Sequence, residues 1–146
     1  MKRISLIFAF ALSSLLIGCA SPPKGDPARD AALKTFQVPK DTTGVYIYRN
    51  EYTGASVSMD VSVDGKPIGY TGAKTYLYTE VSPGKHTISS EAENTSTLDI
   101  DAQLGTLLYI WQESKMGFVY ARNKLQLVSE KEGQEGVMDT TLAVKK

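Results

Sequence analysis

The sequence has one cysteine and one histidine in 146 residues. A single thiol cannot close an internal disulfide. One Cys and one His also fall short of the four ligands of a structural zinc site, so no metal or cofactor is expected. Surplus charge is missing too, since 16 Lys and Arg stand against 16 Asp and Glu. A nucleic-acid binder needs excess cations to displace counterions from phosphates, so that partner is excluded. The apolar run at residues 4–17 is shorter than the roughly 20 residues that span a bilayer. There is no G-x-S-x-G elbow, no internal repeat and no low-complexity segment. What remains, 42% hydrophobic and 22% charged, is an ordinary globular composition of a length that fits one domain.

The N-terminus reads as an address. Lys2 and Arg3 precede the short apolar run, which ends in Leu16-Ile17-Gly18-Cys19. A basic start, a short apolar stretch and a small residue before the cut describe a secretory signal. The last four residues resemble the lipobox of bacterial lipoproteins. That resemblance implies a diacylglycerol on the Cys19 thiol, cleavage before Cys19 and acylation of the new amino group. It also implies, from Ala20 in place of an Asp, an outer-membrane location facing the periplasm. Residues 1–18 are therefore read as signal peptide, 19–42 as lipidated tether and 43–146 as the folded domain.

The tether is rich in proline, but a short helix fits inside it. Asp26 suits a cap, Pro27 the first helical position, and Leu33 and Phe36 lie three apart on one face. From Thr43 the period becomes two. Val45 and Ile47 alternate with Tyr46 and Tyr48, and Val57, Met59, Val61 and Val63 alternate with Ser58, Asp60, Ser62 and Asp64. Asp64-Gly65 marks a hairpin. Further strands are read through Tyr76 to Val81, through His86, Ile88, Ser90 and Ala92, and through Leu98, Ile100 and Ala102. They continue over Leu107 to Trp111, Phe118 to Arg122 and Leu125 to Val128. About eight short strands between regular turns indicate an all-β fold, a small antiparallel β-sandwich. Ser129 and Glu132 could cap a short helix, which Gly133 and Gly136 would weaken, and Val137 to Val144 reads as a last strand.

Candidate chemistry is sparse. His86 follows a Pro83-Gly84-Lys85 turn and shares a face with Ile88. A hydrolase would need it between a nucleophile and a carboxylate, whereas the plain reading has a ring nitrogen bonding a turn carbonyl. Carboxylates alternate at Glu91 and Glu93, Asp99 and Asp101, and Asp60 and Asp64, a spacing that suits a solvated strand face. Tyr46, Tyr48, Tyr76 and Tyr78, with Arg49, form the candidate interaction face: an outward aromatic strip, unless the tether helix or the C-terminal segment covers it. No catalytic residue is assigned.

Two resemblances complete the reading. The run Val61-Ser62-Val63-Asp64-Gly65-Lys66-Pro67-Ile68-Gly69, followed by Val81-Ser82-Pro83-Gly84-Lys85-His86-Thr87-Ile88, is similar in layout to PEGA-type surface domains. It departs from them at Tyr70-Thr71-Gly72. More of the chain resembles the domain-of-unknown-function family 2846. The shared pieces are Val45-Tyr46-Ile47-Tyr48-Arg49, the Val63-Asp64-Gly65 turn, Thr75-Tyr76, the Pro-Gly-Lys-His turn and Leu108-Tyr109, over residues 43–128. That resemblance implies a β-rich envelope module, with no activity to transfer. The expected function is a non-enzymatic lipoprotein, held to the membrane through Cys19 and meeting a protein partner in the envelope. A glycan or small-ligand binding module is the alternative, and a hydrolase is the third.

Overall fold

Alternating apolar residues build two sheets that face each other. The computed structural model describes residues 22–145. In chain order these are α1 (Pro27–Leu33), β1 (Thr43–Arg49), β2 (Met59–Val63), β3 (Lys66–Thr71), β4 (Thr75–Val81) and β5 (Gly84–Glu91). They are followed by β6 (Thr95–Ala102), β7 (Thr106–Met116), β8 (Ala121–Val128), α2 (Glu130–Met138) and β9 (Thr141–Leu142). One sheet has the order β8-β7-β1-β4-β9 and the other β3-β2-β5-β6. The fold is the expected all-β sandwich. Its pairing is mainly antiparallel, but β1 runs parallel to β7, and β4 parallel to β9.

Val45, Ile47, Leu77 and Ile110 of the first sheet meet Val61, Ile88 and Ile100 of the second in one buried core. Asp64 and Gly65, with φ of 50° and 76°, make the two-residue turn between β2 and β3 that their sequence predicts. Every residue of β1 is buried, because the first sheet is covered on both faces. Its far face carries Tyr46, Tyr48, Tyr76, Tyr78 and Tyr109, packed with Val137 of α2, Leu33 of α1 and Phe36 just beyond α1.

The segment read as a tether is docked on this sheet. Asp26 caps α1 through Ala28 N–H, and Pro27 opens the helix as expected. Pro23 O accepts from Val144 N–H at 3.0 Å, and Gly25 N–H donates to Leu142 O at 2.8 Å. The chain is thus fastened to the domain from Pro23 onward.

Three expectations need correction. Residues 130–138 form helix α2, capped by Ser129, so the last strand shrinks to Thr141–Leu142. The glycines that argued against that helix let it lie close to the sheet. A Cβ at Gly133 would collide with the Tyr109 side chain, and one at Gly136 with the Tyr48 ring. Phe118 to Tyr120 are a loop, since β7 runs on to Met116 and β8 begins at Ala121. The run of β2 starts at Met59, leaving Val57 in the preceding loop. Among the described residues no helix is long and apolar enough to cross a membrane.

Candidate functional site

The tyrosine strip is not an exposed face. Tyr46, Tyr48, Tyr76 and Tyr78 are all buried, as is Arg49. Their rings lie between the sheet and the two helices, with Leu33 of α1 and Val137 of α2 packed against them. The rings pack on one another: Tyr46 stacks on Tyr109 at 5.3 Å between centroids and meets Phe36 edge-on at 5.7 Å. Their hydroxyls fasten the helix. Tyr46 donates to Leu33 O at 2.7 Å and Tyr76 to Asp30 Oδ1 at 2.7 Å. Burial pushes the Tyr48 and Tyr78 phenols up to about 12, and those of Tyr46 and Tyr76 higher still. These residues hold a helix to a sheet.

Arg49 is a structural cation. Its Nη1 donates to Val57 O at 2.7 Å, and its Nη2 to Thr53 O at 2.8 Å and Gly54 O at 2.6 Å. Desolvation lowers its pKa, and the nearby Glu51 works against that shift. Its role is to close the 50–58 loop over the end of the sandwich.

His86 is held at a rim between two turns. Nδ1 lies 2.6 Å from Asp64 Oδ2 and Nε2 lies 2.7 Å from Ser82 O. Both partners are acceptors, so both nitrogens donate and the ring is an imidazolium in this arrangement. The Asp64 hydrogen bond, then that of Ser82, raises its pKa, and the same contact lowers that of Asp64. The expected turn-carbonyl bond is present. Neither nitrogen is open to take a proton from a nucleophile. An open cavity of about 390 Å³ lies beside it, lined by Asp64, Lys85, Thr87, Asp99 and Asp101.

The paired carboxylates divide. Asp99 and Asp101 share the exposed face of β6, with Asp99 accepting from Thr87 Oγ1 at 2.7 Å. Glu91 closes β5, but Glu93 lies beyond it in the turn, so these two are not strand neighbours. Glu93 instead accepts from the N–H groups of Phe118, Val119 and Tyr120 at 2.8, 3.0 and 3.1 Å, which lowers its pKa. Among the described residues no cluster of three or more His, Cys, Asp or Glu is placed to hold a metal ion.

The feature that sequence reading missed is the tip between β7 and β8. Met116, Phe118 and Val119 are 80%, 97% and 83% exposed. The signal was present as five residues with only Gly117 interrupting apolar side chains, but it was read as a strand. Cys19 and Ala20 lie outside the described residues.

Comparison places the chain among proteins without an assigned activity. A family described as "Protein of unknown function (DUF2846)" matches residues 39–124. An uncharacterized protein of Haemophilus influenzae is 33% identical over 144 residues, covering 97% of this chain and 84% of its own length.

Proposed function

Because the chain belongs to the DUF2846 family of proteins of unknown function, we propose its role from its own residues: a lipid-anchored, non-enzymatic module of the bacterial envelope. The observation that carries this reading is the order Lys2-Arg3, a short apolar run, then Leu16-Ile17-Gly18-Cys19. The chain's one thiol stands where lipid attachment would use it. Each buried CH₂ contributes about 0.8 kcal/mol, so two or more acyl chains anchor stably without a spanning helix. Ala20 directs the protein to the outer membrane, facing the periplasm. Removal of residues 1–18 takes away Lys2 and Arg3 and leaves two more acidic than basic residues. Anionic headgroups therefore do not draw the domain down, and the lipid does the anchoring.

The docked segment gives this reading a geometry. Only Ala20, Ser21 and Pro22 separate Cys19 from the fastened Pro23, so the domain rides close to its membrane. The engaged nitrogens of His86 and the buried tyrosines favour an interaction role over catalysis or an aromatic glycan platform. Metabolic labelling with a palmitate analogue tests the anchor. The wild-type chain takes up label and Cys19→Ala does not; equal labelling of both removes the proposal.

A further inference from the structure

Past Arg49 the edge of β7 has no strand beside it. β1 pairs with β7 as far as Tyr48 and Trp111, whereas β7 runs on to Met116. The 50–58 loop takes the strand's place there. Ser114 Oγ donates to Thr53 O at 2.7 Å, and Gly54 lies so close that a Cβ on it would collide with Ala121. Arg49 ties the loop down through the carbonyls of Thr53, Gly54 and Val57.

Inside this closure lies a carboxyl group that the rest of the fold does not use. Both oxygens of Glu51 are buried and neither completes a hydrogen bond, and the same holds for Arg49 Nε and Trp111 Nε1. Around Glu51 stand Arg49 and Tyr48 of β1 and Trp111 and Ser114 of β7, while Glu132 of α2 acts on the same Tyr48. Its own N–H, the Ser114 N–H, the Trp111 indole N–H and the Arg49 charge all favour the ionised form, but desolvation is the larger effect and raises its pKa. Among the described residues Arg49 forms no ion pair, because its guanidinium is engaged with loop carbonyls. A carboxyl group in such surroundings is at ease as the neutral acid and under tension as the anion.

We propose that the 50–58 loop is an acid-closed latch with Glu51 as its catch: the neutral carboxyl group keeps the loop shut over Arg49, Ser114 and Ala121, and the ionised one loosens it. In the open loop Glu51 is solvated and titrates near the usual value of about 4.3. In the closed loop it holds its proton to higher pH. The gain from closure is therefore complete below about pH 4.3 and fades as pH rises through the raised value. Tyr48 does not titrate in this range, its phenol being pushed up to about 12. His86 is bound elsewhere, to Asp64 and Ser82.

The test is made on the full chain in mild detergent, with two readouts. Trp111 is the only tryptophan, so its fluorescence reports on Glu51 directly, and amide exchange reports opening at residues 50–58. Trp111 emission should titrate with a midpoint above that of an ordinary glutamate. Protection at residues 50–58, corrected for intrinsic rates, should rise at least about threefold from pH 7 to pH 5, while the core amides of β1 and β5 do not follow. Glu51→Gln keeps the shape and cannot ionise. It should abolish the titration and show the higher protection at both pH values. Glu113→Gln removes the carboxylate on β7 that binds Lys115 and Gln126, and it should behave as wild type. A titration that survives Glu51→Gln, one that is lost in Glu113→Gln, equal protection at both pH values, or core amides that change in step with the loop overturns the proposal. Should a variant fail to fold, the wild-type exchange at the two pH values decides alone.

Discussion

Single side chains carry most of the unusual physics, and His86 gives a pH signature. Its imidazolium is favoured in the folded state by Asp64 first and Ser82 second, so its contribution to stability is complete below about pH 6.5 and fades as pH rises through the raised value. Asp64 runs the other way: its contribution is present above about pH 4 and is lost as pH falls through the depressed value. His86→Ala should therefore lower the melting temperature by a few degrees near pH 6, and by less at pH 9. An equal loss at both pH values would mean that only packing matters. Arg49→Met should cost roughly 2–4 kcal/mol in denaturant unfolding, because three carbonyls lose a buried charged donor. Amide exchange should then quicken over residues 50–58. The His86 turn bond was legible in the Pro-Gly-Lys-His spacing. The burial of Arg49 was not, because a cation that ends a strand looks like a surface residue until a loop folds over it.

Among the elements, the helices show where local rules give way to packing. Helix α1 was legible from Asp26 and Pro27, since capping is a local matter. Helix α2 was half legible: its cap at Ser129 was visible, but two glycines argued against it. Those glycines answer to Tyr109 and Tyr48, which are distant in sequence. Replacing a helix glycine by alanine usually gains about 1 kcal/mol. Here Gly133→Ala and Gly136→Ala should each lose about 1–3 kcal/mol by overpacking, while Lys131→Ala on the exposed side stays near neutral. A stabilised Gly136→Ala would contradict the close approach. The tyrosine strands posed the mirror problem. Alternation showed two apolar faces on β1 and β4 but not what covered the second. Tyr46→Phe removes one bond to α1 and should cost about 1 kcal/mol.

At the scale of the molecule, the all-β fold was legible because period two persists from Thr43 to Val128. The parallel pairings β1–β7 and β4–β9 were not, since nothing local records which distant strands meet. In the reading proposed above, the domain stands on a membrane, fastened to its own N-terminal segment from Pro23 onward, a few residues after Cys19. That rests on the chemistry of Cys19, and the mass of the N-terminal peptide from fractionated cells tests it most directly. Anchoring predicts a peptide that begins at Cys19, carries diacylglycerol on its thiol and comes from the membrane fraction. A peptide that begins at Met1 and a Cys19 thiol without lipid, both from the soluble fraction, would contradict it.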